Sequence, residues 1–87
     1  MFKNLFKPKW QSAKPHVRIQ ALQTLNVSDE NEFHIIELMA KGDVENEVRL
    51  AAMKRIPQRE KLLTLIKQEK DSSVRFAAIE HLISVLS

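Results

Sequence analysis

Apolar residues recur three and four positions apart in five stretches of the chain, the spacing that lines one face of an α-helix. The first stretch carries Val17, Ala21, Leu22 and Leu25 behind Pro15, which suits the first helical position because an N–H there would go unbonded within the helix. The second carries Phe33, Ile36, Met39 and Ala40. A turn at residues 26–29 introduces it, and Asp29 and Glu32 have the spacing of a capping box. Gly42, the only glycine, stands where a left-handed residue would close this helix. Val48, Ala52, Met53 and Ile56 mark a third helix that Pro57 breaks. Leu62, Leu63, Leu65 and Ile66 mark a fourth. Val74, Ala78, Ile79 and Leu82 mark a fifth, with Asp71, Ser72 and Ser73 as capping side chains. Ahead of all five, Phe2, Leu5 and Phe6 have helical spacing, Pro8 stops that turn, and Trp10 follows.

Three of these helices are variants of one another. The pattern Val-Arg-(Ile/Leu/Phe)-x-Ala-(Leu/Met/Ile)-x-x-(Leu/Ile) starts at Val17, Val48 and Val74, 31 and then 26 residues apart, with Val, Arg and Ala identical each time. A period in this range marks a row of modules, because one helix pair cannot cover its own apolar face and must stack on a neighbour. The five stripes, less Ala40, Met53 and Leu63, form the expected core.

The module consists of a helix, an acid- or serine-bearing turn, and a helix that opens with Val-Arg and carries Ala three residues after the Arg. Residues 43–52 and 71–78 display it. Over residues 14–87 this resembles the HEAT repeat, particularly the short bacterial HEAT-like form. The resemblance implies an all-α, right-handed α-solenoid of HEAT-like helical hairpins, with about two and a half repeats and five main helices. It implies a single domain over 1–87, in which residues 1–14 are a basic aromatic cap and 15–87 the repeats. Burial of Val17, Val48 and Val74 follows, with Ala21, Ala52 and Ala78 letting neighbouring helices approach closely. In the family a turn acid and the Arg make a ladder between repeats. Here the acids are Asp43 or Glu45, and Asp71, with Arg49 and Arg75 as their partners. The first copy departs, because Lys14 stands where Asp71 stands in the third. Arg18 is therefore expected to pair forward with residues 43–45 or to remain solvated. The opening ten residues also resemble the start of large helical bacterial proteins. The function implied is that of a non-catalytic protein-interaction or scaffold module.

Composition narrows the alternatives. At 44% hydrophobic and 29% charged residues the chain reads as globular, and one Gly, three Pro and no Tyr leave little material for β-hairpins. Without Cys there is no disulfide, thiolate nucleophile or Cys-ligated zinc, which fits the reducing cytoplasm expected as its location. No run approaches the roughly 20 apolar residues of a membrane span. Residues 1–7 lack the apolar stretch and small-residue cleavage site of a secretory signal. The net charge of +3 is unevenly spread: residues 1–28 hold Lys3, Lys7, Lys9, Lys14 and Arg18 and no acid.

That basic start is one candidate for chemistry. Lys3, Lys7, Lys9 and Lys14 around Trp10 could bind a polyanion, either nucleic acid or an anionic membrane, since aromatics among lysines stack on bases or sit at lipid interfaces. The preferred reading is that the aromatics cap the open end of the first repeat, with the lysines as its polar outer face. The outer positions of the recurring helix argue against a phosphate-tracking groove. Gln23, Lys54 and Glu80, then Thr24, Arg55 and His81, change from neutral to basic to acidic or neutral along the row. The row of Arg18, Arg49 and Arg75 suits phosphate geometry, but each occupies the motif's own structural slot, which favours pairing inside the fold. His16, His34 and His81 lie far apart and no pair has the i, i+4 spacing of a helical metal site. No metal, cofactor or catalytic residue is expected.

The chain closes on apolar residues. Ile83, Val85 and Leu86 form a candidate interface, with a following repeat if this is the amino-terminal piece of a longer protein, or with another subunit. The recurring alanines give the first test: Ala52→Leu should overpack a helix contact and cost about 1–3 kcal/mol in urea denaturation. An unchanged midpoint would contradict burial at this slot.

Overall fold

A computed structural model describes residues 7–86. Phe2, Lys3, Leu5 and Phe6 of the expected basic aromatic cap lie outside the described residues. The described residues form a 3-10 turn, Lys9–Gln11, and five α-helices: α1 (Pro15–Thr24), α2 (Glu30–Gly42), α3 (Asn46–Met53), α4 (Arg59–Gln68) and α5 (Ser72–Leu86). No strand occurs among them. The chain is all-α.

Local chemistry explains most of the boundaries. Pro15 opens α1. Asp29 Oδ1 accepts the Glu32 N–H at 3.0 Å and starts α2. The Glu32 carboxylate does not close a capping box on the Asp29 N–H, which is bonded to the Asn26 carbonyl at 3.1 Å. It reaches further back and accepts the Asn26 N–H at 2.7 Å, so the pair staples the whole turn. Asp71 Oδ1 likewise accepts the Val74 N–H at 3.0 Å and starts α5.

Two boundaries differ from the sequence expectation. Gly42 is the last helical residue of α2 and no described glycine has positive φ. The extended Asp43 ends the helix instead, its N–H bonding to the Met39 carbonyl at 3.2 Å. The helix α3 stops at Met53, short of Ile56. Pro57 disfavours helical geometry at the residue before it, and the turn tightens: Arg55 and Ile56 N–H groups bond to the Ala52 and Met53 carbonyls three residues back. Ile56 is buried all the same.

The helix α3 packs against α2, α1 and α5, while α4 packs on α5 and touches α2. The molecule is elongated, 47 × 26 × 18 Å. One core runs its length, from Leu22 on α1 through Ile36, Val48, Ala52 and Leu62 to Val74, Ala78 and Leu82 on α5. All three recurring alanines are buried. Ala40 and Met53 join the core as well. Across α2 and α4, the Lys61 ammonium lies 4.8 Å from the Phe33 ring centroid and 3.4 Å from a Glu37 carboxylate oxygen.

Three expected core positions are not buried, and they lie at the two ends of the row. Val17 and Leu25 on the first copy are half-buried. Ile79 on the last is 40% exposed, whereas its counterparts Leu22 and Met53 are each 1% exposed. At both ends of the described row the side chains of the motif are present without a described neighbour over them.

With ordinary helical φ and nothing within 4 Å of a Cβ built on it, Gly42 is a position where only helix propensity speaks. Gly42→Ala should stabilise the fold by about 0.5 kcal/mol, read as a higher urea midpoint. A lower midpoint would show that the helix end needs glycine after all.

Candidate functional site

Arg18, Arg49 and Arg75 leave their helices at the same slot of the motif, directly after the recurring valine, and reach back over the preceding turn. Each donates from Nη1 to the backbone carbonyl six residues earlier: Ser12 at 2.8 Å, Asp43 at 2.7 Å and Glu69 at 2.8 Å. The Nε–Nη2 edge is then available for a second acceptor. Arg18 uses it on Asp43, with Nε to Oδ2 at 2.9 Å and Nη2 to Oδ1 at 2.8 Å. Arg49 uses it on Glu69, with Nε to Oε1 and Nη2 to Oε2 both at 2.9 Å. These are fork-to-fork pairs, stronger and more directional than a single hydrogen bond. Asp43 and Glu69 are each held twice, the carboxylate by the arginine of the preceding copy and the carbonyl by the arginine of their own.

This corrects the expected ladder. The carboxylate on Arg49 belongs to Glu69, not to Asp43 or Glu45, and Asp71 is not on Arg75, whereas Arg18 does pair forward with Asp43. Asp71 instead caps α5, accepts the Ser73 hydroxyl, and accepts the Asn46 side-chain N–H at 2.9 Å, a second tie between α3 and the turn before α5. Glu45 is exposed, and its carbonyl accepts the Val48 and Arg49 N–H groups that open α3. Arg75 meets backbone only: Nη1 donates to the Glu69 and Lys70 carbonyls, and among the described residues no carboxylate pairs with it. The acid slot lies six residues before the next arginine. Sequence spacing alone does not single it out, since the second and third copies carry an acid both six and four residues before their arginines.

A fourth arginine belongs to the same framework. Arg55, expected on the outer surface, is half-buried and donates to the Leu22 carbonyl and, at 2.8 Å, to the Leu25 carbonyl, at the carboxyl end of α1. The Leu22 carbonyl otherwise accepts only the long 3.4 Å bond from the Leu25 N–H. Carbonyls at a helix end lack the partners a further turn would supply, so a cation from the following helix pair serves them. Its motif counterparts are Thr24 and His81, and nothing in the repeat marks it.

The electrostatics follow the geometry. The Glu69 side chain is 3% exposed. The hydrogen bonds from Arg49 hold its carboxyl below the ordinary 4.5 against burial, which pushes the other way, and the Asp71 N–H at 3.1 Å adds to the lowering. The Asp71 carboxyl is also held low, first by the Ser73 hydroxyl and then by the Val74 N–H. Among the described residues no buried side-chain nitrogen or oxygen lacks a partner.

The other candidate residues are scattered over the surface. Lys7, Lys9 and Lys14 are exposed, and Lys3 lies outside the described residues. Trp10 between them is half-buried and packs against the core. His16 and His34 are exposed and His81 is half-buried. No group of three or more potential metal ligands exists among the described residues. Ile83, Val85 and Leu86 are all exposed, and the last two line a groove with Ile56, Pro57 and Arg59. No described helix is long and apolar enough to cross a membrane. No protein-family model, curated protein or solved structure matches this chain.

The Arg49–Glu69 pair makes stability depend on pH. The folded carboxyl releases its proton more readily than the unfolded one, so the pair stabilises above the ordinary 4.5. That contribution is lost as pH falls through the still lower folded value. Glu69→Gln should cost about 2 kcal/mol at neutral pH and flatten the loss of stability toward about pH 3, measured by urea denaturation across that range. Identical pH slopes for both proteins would remove the pair from any such role.

Proposed function

We propose that the chain is a non-catalytic protein-interaction or scaffold module built from HEAT-like repeats. In this reading it is a right-handed solenoid of about two and a half helical hairpins that meets a protein partner in the cytoplasm. The observation that carries the reading is the repeated arginine rung. The same slot of the Val-Arg motif joins consecutive copies through a backbone carbonyl and a carboxylate, as a stacked repeat requires. Those cations are used in holding the modules together, and so is Arg55. What then distinguishes the molecule is its extended surface, and stacked repeats characteristically work by presenting one.

Electrostatic attachment to a polyanion through the amino terminus is the second reading, favoured by the exposure of Lys7, Lys9 and Lys14. Trp10 weighs against it, because its ring packs on the protein's own core.

Labelled duplex DNA, single-stranded RNA and phosphatidylserine vesicles, titrated at low salt, separate the two. The interaction module should ignore all three. Affinity that drops steeply with salt, and disappears when Lys3, Lys7, Lys9 and Lys14 are changed to Glu, would replace it with the attachment reading.

A further inference from the structure

We propose that two copies of this chain pair tail to tail through α5, the two helices running parallel about a twofold axis. The surface concerned is the face of the motif helix that is covered in both earlier copies and open in the last. Leu22 and Met53 are 1% exposed, and their counterpart Ile79 is 40% exposed. Three residues earlier in the motif, Ile19 and Leu50 are half-buried against the core, whereas Phe76 is 64% exposed. Phe76 and Ile79 continue into the exposed Ile83 and Leu86 at steps of three, four and three residues. Those steps are the a and d positions of a heptad seam, a stripe that covers itself when two helices lie side by side.

Charge fixes the occupant and the direction. On a helical wheel Arg75 flanks this stripe on one side and Glu80 on the other, at positions g and e. In a parallel two-stranded seam the g residue of one helix lies beside the e residue five positions later on its partner. Arg75 of each copy thereby meets Glu80 of the second copy, and symmetry makes the contact twice. This supplies the carboxylate that Arg18 finds in Asp43 and Arg49 finds in Glu69. A head-to-tail stack of copies offers no such group, because residues 1–28 contain no Asp or Glu. The turn Lys9–Gln11 also packs on α1, with Trp10 set against the core. The pairing is therefore isologous and closes at two copies. It stands whether or not the module also meets other proteins.

Sedimentation equilibrium from about 1 µM to about 500 µM tests it. The mass should rise from that of the 10.1 kDa chain to twice that value and stop there. Arg75→Glu and Glu80→Arg should each weaken the dimer about tenfold, and the two together should recover most of the affinity, since the swap rebuilds the pair in reverse. Ile83→Lys, at an exposed position, should remain monomeric throughout with unchanged helical circular dichroism. A wild-type mass fixed at one chain overturns the proposal, as does one that climbs past two. Failure of the double swap to recover affinity, with its urea midpoint and helical circular dichroism unchanged so that the lost Arg75 bonds to the Glu69 and Lys70 carbonyls are not the cause, overturns the parallel arrangement.

Discussion

A guanidinium carries five N–H donors in one plane, so a single arginine can grip two acceptors in different directions at once. The fold depends on that capacity. From one slot of the motif, Arg18 and Arg49 hold a carbonyl of their own turn and a carboxylate of the next. A lysine there would offer a compact ammonium on a flexible stem, without the rigid fork. The conserved geometry between the first two copies is therefore set by a side chain with a fixed shape, and the variable loop lengths around it are absorbed elsewhere.

Directional contacts matter because the helices are short. Eight residues of α3 and ten each of α1 and α4 are too few to be stable alone in water. Burial of Val48, Ala52, Ile36 and Leu62 supplies the main driving force, but apolar burial has little preference for one register over the next. The arginine rungs, the Asn46–Asp71 bond and the Arg55 contacts to α1 supply that preference. Placing Glu69 almost wholly out of water would be costly without a partner. Here both of its oxygens accept from Arg49 and one also takes the Asp71 N–H, so the buried charge is fully engaged.

Much of this was legible in the amino-acid order. Period and punctuation located all five helices, and the recurring alanines are buried as their size suggests. Other features were not legible, for identifiable reasons. Val17 is the same residue as its buried counterparts Val48 and Val74, and Ile79 is as apolar as Leu22 and Met53, but exposure is set by whether a neighbouring helix is present, which a motif cannot encode. Glu69 and Asp71 are both acids near the same turn, and the choice between them rests on the three-dimensional path of residues 69–71. Gly42 looked like a left-handed stop, yet the extended Asp43 beside it closes the helix and leaves the glycine without a conformational task. Arg55 resembles any surface cation until α1 is seen to end beneath it.

Because Asp43 and Glu69 each belong to two successive rungs, the opening of one rung loosens an anchor of the next. Releasing α5 would free the turn that holds Glu69, and with it the grip on Arg49. A loosened Arg49 would in turn surrender the Asp43 carbonyl and slacken the clasp on Arg18. Such a molecule behaves as a zipper fastened from one end, with its teeth sharing their anchor points, so fraying that starts at the last helix travels toward the first.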